Sequence, residues 1–132
     1  KRDASTPNTA EDGWVDIGEA HDIPVGRARV VCLGEGHRVA VFRDGDALTA
    51  LSNICAHQGG PLGEGQIIDG CATCPWHGYQ YDALTGQSPP PYTEKIPTYE
   101  LRVRGGRVEV NPKPNAPGTP TTPAVVPSEA SP

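Results

Sequence analysis

The chain has 132 residues and a net charge of −5 at pH 7, with 36% apolar and 5% aromatic residues. That length suits one folded unit with a lean core, and 16 Gly and 15 Pro exclude a helix bundle because both residues break helices. No apolar run approaches the ~18 residues of a membrane span, and the acidic balance argues against a general nucleic-acid binder while permitting docking to a basic protein.

In chain order, residues 1–12 lack apolar periodicity and are expected to be a flexible N-terminal segment. The chain begins at Lys1 rather than Met, which reads as a processed protein or a piece of a longer one. Arg27–Leu33 predicts a strand, Gly34-Glu35-Gly36 a turn, and His37–Arg43 an alternating second strand. Asp44-Gly45-Asp46 predicts a hairpin turn into a third strand, Ala47–Asn53. From Ile54 to Pro97 runs a Gly- and Pro-rich stretch so long that its order needs a cause. Thr98–Arg104 alternates cleanly, Gly105-Gly106 turns the chain, and Arg107–Val110 completes a second hairpin. Residues 112–132 hold seven prolines among Thr, Ala and Ser, and predict an extended, disordered tail. The folded unit is therefore expected over residues 13–111, as an all-β domain of antiparallel sheets, a sandwich or barrel.

The cause of order in the middle stretch is a candidate metal centre. Cys55-Ala56-His57 opens it, and Cys74-Pro75-Trp76-His77 follows after 16 intervening residues. Each half offers one thiolate and one imidazole and ends in glycine, at Gly59-Gly60 and at Gly78. Glycine lets backbone N–H groups approach sulfur closely, since no Cβ intervenes. A structural zinc site uses the same donor set, but zinc fingers pair Cys with Cys and His with His, whereas each half here mixes the two.

These two segments, Cys55-Ala56-His57-Gln58-Gly59-Gly60-Pro61-Leu62 and Cys74-Pro75-Trp76-His77-Gly78, resemble those of Rieske proteins. The likeness runs on through Tyr79-Gln80-Tyr81, the Thr85-Gly86 turn and the closing hairpin. It implies a [2Fe–2S] cluster in a subdomain of two loops spanning about residues 54–92, with Cys55 and Cys74 on one iron and His57 and His77 on the other. Two neutral imidazoles in place of thiolates make the cluster easier to reduce, which is why Rieske potentials span about −150 to +300 mV against roughly −400 mV for plant-type ferredoxins.

The resemblance also implies a branch. Where high-potential members carry an extra disulfide between the loops, this chain has Gly60 and Trp76. Where they carry a serine donor to sulfide, it has Tyr79. Tyr81 matches a tyrosine that donates to a cysteine sulfur. Fewer donors to sulfur imply the lower part of the Rieske range. Leu62, Trp76 and the Ser88–Tyr92 run are expected to shield the cluster, although an ordinary stiff loop accounts for that run equally well.

The function implied is one-electron transfer to or from a redox partner protein, a reductase or an oxygenase or oxidase component. The alternatives are a Rieske domain or small subunit of a larger oxidoreductase: a ring-hydroxylating oxygenase, a nitrite reductase or a membrane-bound redox protein. No catalytic residues are assigned, and the chain is not read as an enzyme by itself. It has no His after His77, so an oxygenase's mononuclear iron site would need further chain. A cytoplasmic location is expected, with membrane tethering of a longer protein as the alternative.

Of the remaining residues, Cys71 reads as a small strand residue and Cys32 as a small hydrophobe packed in a strand, with a disulfide between them left open. Trp14 reads as core. His21 and His37, and the carboxylates of Asp82, Glu94 and Glu100, read as solvated.

Overall fold

The computed structural model of the protein describes residues 8–9, 13–33, 38–53, 61–75 and 78–126. Its strands are β1 (Asn8–Thr9), β2 (Val15–Glu19), β3 (Ala28–Cys32), β4 (Arg38–Asp44), β5 (Ala47–Ser52), β6 (Gln66–Ile68), β7 (Cys71–Thr73), β8 (Gln80–Asp82), β9 (Thr98–Tyr99), β10 (Leu101–Arg104), β11 (Arg107–Val110) and β12 (Ala124–Val125). Every strand pairing is antiparallel, as the turn-rich sequence leads one to expect.

The first sheet has the order β1-β2-β11-β10 and the second β12-β5-β4-β3, with β9 also on β5; β6-β7-β8 form a third. The hairpin of β4 and β5 pairs Asp44 with Ala47 across the expected turn. The turn expected at Gly34-Glu35-Gly36, and His37 with it, lies outside the described residues. The last hairpin pairs Arg104 with Arg107 across Gly105-Gly106, also as expected.

Sheet two is a shared wall. On β4, Val39 and Val41 face one apolar cluster with Val15 and Ile17 of β2 and Val108 and Val110 of β11. Ala40 and Phe42 face a second cluster with Leu62, Ala72, Cys74, Tyr81 and Ile96. All four β4 side chains are fully buried, so β4 is apolar on both faces rather than alternating between core and water. The three-strand β6-β7-β8 ribbon therefore stands on the back of the main sandwich, held by the second cluster.

Two expectations are corrected. The alternating run Thr98–Arg104 is two strands, not one: β9 pairs with β5 and β10 with β11, with Glu100 between them crossing from sheet two to sheet one. Within residues 1–12, Asn8 and Thr9 pair with Asp16 and Val15. The proline-rich tail is extended but not disordered as far as Val126.

The tail has specific partners. Asn115, Gly118 and Thr121 donate backbone N–H groups to Thr98 O (2.8 Å), Ile96 O (3.1 Å) and Leu84 O (2.8 Å). β12 then pairs with the free half of the β5 edge, Ala124 with Leu48, and Val126 is buried in the first apolar cluster. Proline supplies no N–H, but the residues between the prolines do, and an open sheet edge accepts them.

Sheet one carries ion pairs. Arg107 holds Asp16 at 2.8 Å and Glu19 at 3.1 Å, and Arg102 holds Glu109 at 2.6 Å. Trp14 is half-buried rather than core, with the Arg102 guanidinium 4.3 Å above its ring.

Candidate metal centre

The second ligand segment is built by the β7–β8 ribbon. Its register pairs Thr73 with Gln80, and one step further the Cys74 N–H donates to Tyr79 O at 2.7 Å. Only residues 75–78 remain to reverse the chain, and Gly78 adopts φ +71, a region that side-chain-bearing residues rarely enter. Cys74 is 1% exposed and lies with the fully buried Leu62, Ala72 and Tyr81 in the second apolar cluster. Burial of Leu62 alone contributes roughly 1.5–3 kcal/mol to holding the two segments together. Trp76 and His77 lie outside the described residues.

The first ligand segment is anchored at both ends. On its near side the Ser52 N–H donates to Pro97 O at 2.9 Å, and the Asn53 N–H to Arg38 O at 3.0 Å. On its far side the Leu62 N–H donates to Asn53 O at 2.8 Å, and the Gly63 N–H to the Asn53 side-chain Oδ1 at 2.7 Å. Cys55, His57, Gly59 and Gly60 lie outside the described residues. Of the four ligands expected from sequence, the structure thus places Cys74, together with the anchors that flank Cys55 and His57.

The Ser88–Tyr92 run lies against the second segment. Pro89, Pro90 and Tyr92 line a cavity of about 180 Å³ with Gly78, Tyr79 and Gln80, and the Tyr79 and Tyr92 rings stand 5.6 Å apart. The run is pinned at its base, where the Ser88 N–H donates to Glu94 O at 2.9 Å. Ser88 Oγ and Glu94 Oε1 are buried with no hydrogen-bond partner among the described residues.

Several minor readings change. None of the three carboxylates is simply solvated: Asp82 accepts from the Leu84 N–H at 2.8 Å, Glu100 from Asn115 Nδ2 at 3.2 Å, and Glu94 is half-buried. His21 is half-buried in a short 3-10 turn, Ala20–Asp22. Cys71 is the strand residue expected. Burial pushes its thiol pKa up, with Asp82 and Asp69 adding to the shift. Cys32 is on a strand but exposed, and it is not bridged to Cys71.

The donors expected from sequence suit a metal of the thiolate- and imidazole-binding kind, and the one that the structure describes, the Cys74 thiol, is buried at the end of the β7–β8 ribbon beside Leu62. The fold is an all-β protein of antiparallel sheets with a candidate metal centre at the end of the β6-β7-β8 ribbon. The comparisons are specific. A family model described as the Rieske [2Fe-2S] domain matches residues 13–100. The chain is 43% identical over 74 residues to the anthranilate 1,2-dioxygenase ferredoxin subunit of Burkholderia cepacia, spanning 55% of this chain and 68% of that one. It is 32% identical over 111 residues to the ferredoxin component of the alkene monooxygenase system of Xanthobacter autotrophicus, spanning 82% and 90%.

Among solved structures, one described as the complex of reduced oxygenase and oxidized ferredoxin in carbazole 1,9a-dioxygenase matches with a TM-score of 0.71 and 29% identity, covering 77% of this chain and 95% of that one. The chain belongs to the Rieske [2Fe-2S] domain family. Its cofactor is a [2Fe–2S] cluster, and its function is to carry single electrons to or from a redox partner protein. No helix among the described residues is long and apolar enough to cross a membrane.

Proposed function

We propose that Cys55, Cys74, His57 and His77 are the cluster ligands, the thiolates on one iron and the imidazoles on the other, and that the chain is the ferredoxin of an oxygenase system. The observation that carries this is the placement of Cys74: 1% exposed, at the closed end of the β7–β8 ribbon, packed with Leu62 from the end of the first segment. The relatives named as ferredoxin components support the oxygenase partner.

When bound, the [2Fe–2S] group supplies a reversible one-electron couple. The chain's own residues set its surroundings. Leu62, Ala72 and Tyr81 exclude water from the sulfur side. Pro89, Pro90 and Tyr92 cover the second segment. Tyr81, fully buried beside Cys74, is the residue that tunes sulfur basicity in this reading, and Tyr79 stands where high-potential members carry a serine. The potential falls in the lower part of the range of about −150 to +300 mV.

Iron and sulfide analysis, visible spectra and voltammetry test the reading. Cys74→Ser and His57→Ala each lose the visible bands and most of the iron. Full iron and colour in either variant overturns the ligand set, and a potential near the top of the range overturns the branch. A cytoplasmic site of action accompanies this reading, and a native pool that pellets with membranes contradicts it.

A further inference from the structure

Asn53 is buried to 7% exposure, in a chain whose buried side chains are mostly apolar. A buried amide persists when its hydrogen-bonding groups are satisfied, and here the partners it satisfies lie on both sides of one sequence segment. The Asn53 N–H is fixed to Arg38 O on β4, which ties the residue to the central sheet. Its carbonyl then takes the Leu62 N–H and its side-chain Oδ1 takes the Gly63 N–H, the latter bond buried. A single residue thus joins the central sheet to the two residues that resume the chain after Pro61.

Gly63 shows how close this junction is. A Cβ there would lie 2.6 Å from Asn53 Oδ1 and 2.3 Å from Val30 Cγ2. The absence of a side chain at Gly63 is what lets its N–H reach the amide. The seven residues bracketed by Asn53 and Pro61 include Cys55 and His57, and Cys55 is two residues from the clamp.

We propose that Asn53 is the positioning residue of the first ligand segment: by closing both ends of residues 54–60 onto one rigid amide, it fixes the span from which Cys55 and His57 reach the cluster. This rests on the ligand assignment proposed above. Asn53 acts through the two ligands that follow it. The side-chain bond is the part a substitution can remove. Its loss leaves the buried Gly63 N–H without an acceptor, a defect that destabilises the local structure and lets the segment ends separate.

The test uses the iron-loaded full chain. Asn53→Ala removes the acceptor, and Asn53→Asp restores one in nearly the same shape. Two quantities are read: the half-life of the visible bands against a ferrous chelator, and the g values of the reduced cluster by EPR. The Ala variant loses colour roughly ten-fold faster, the factor that corresponds to about 1.4 kcal/mol, and its g values shift or broaden. The Asp variant keeps parental g values and a half-life within about two-fold of the parent. A purely structural role moves melting but leaves the g values unchanged.

Unaltered g values and half-life in Asn53→Ala overturn the proposal, as does equal damage in the Ala and Asp variants. Should the Ala variant not fold, hydrogen exchange on the parent decides: the Gly63 amide must be among the slowest of residues 61–65, and fast exchange overturns the clamp. Cys55→Ser separates the two readings. Retained colour there refutes the ligand assignment, whereas lost colour there beside an unaffected Asn53→Ala refutes only the role of Asn53.

Discussion

Gly65 offers a sharp test of how the ribbon holds Cys74, the proposed ligand. It links the 3-10 turn Leu62–Glu64 to β6, and its backbone φ of −86 is open to any residue, so no conformational strain attends replacement by alanine. The obstacle is contact. A Cβ at residue 65 would lie 1.7 Å from Thr73 O, half the 3.4 Å at which ordinary contact begins, and 2.9 Å from Thr73 C. Thr73 O is backbone, so no rotamer change relieves the overlap. The Gln66–Thr73 rung must open, and the residue after Thr73 is Cys74.

Overpacking of this kind costs typically 1–3 kcal/mol, occasionally more, while the stiffer unfolded chain returns about 0.4–1 kcal/mol. Because the overlap falls on backbone the upper end applies, and a net loss of about 2 kcal/mol lowers the melting temperature of a domain this size by roughly 6–10 °C. Gly70→Ala is the control. That residue has φ +78 with nothing within 4 Å of its missing Cβ, so it reports left-handed strain without contact, about 1 kcal/mol. Thermal melts of the iron-loaded chain, with iron content measured before and after, read both effects. Gly65→Ala should melt below Gly70→Ala and bind less iron. If Gly65→Ala melts within about 3 °C of the parent, or above Gly70→Ala, the ribbon is not held by this contact and the reasoning fails.

Other outcomes follow from single contacts. Thr98 is fully buried, its Oγ1 donating to Thr119 O at 2.8 Å and accepting from Asn115 Nδ2 at 3.1 Å. Thr98→Val should destabilise the chain by about 1–3 kcal/mol and speed hydrogen exchange at Asn115 and Thr121; unchanged exchange there means the tail is held by something else. Arg107 bonding holds the Asp16 carboxyl below its usual 3.8, outweighing its partial burial. The folded carboxyl therefore binds its proton less tightly than the unfolded one. The stability it contributes is complete above about pH 4 and is lost as pH falls through the lowered value. Melting curves from pH 7 down to about pH 2 should flatten on the acid side in Asp16→Asn, and an acid slope equal to the parent's excludes this pair as its source.

Much of the architecture was legible because it is written locally. The hairpins at Gly45 and Gly105-Gly106 follow from turn residues between strand-forming runs, and the two mixed Cys/His segments are visible as spacing alone. One local signal was available and passed over: Asp69-Gly70, at φ +51 and +78, is a two-residue turn that sets the β6–β7 pairing Ile68 with Cys71. The split of Thr98–Arg104 was not legible. Its residues alternate throughout, and only the neighbours decide that Tyr99 belongs to β5 and Leu101 to β11.

Residue type and spacing, then, carried the all-β fold and the likeness to Rieske proteins, because turn chemistry and metal-donor identity are properties of short stretches. Three matters were left to the tertiary structure. It buried β4 on both faces, laid the proline-rich tail along the exposed edge of β5, and turned Asn53 into a joint between the central sheet and the residues after Pro61. Each depends on what a backbone group or side chain meets from a distant part of the chain, and no window of neighbouring residues contains that partner.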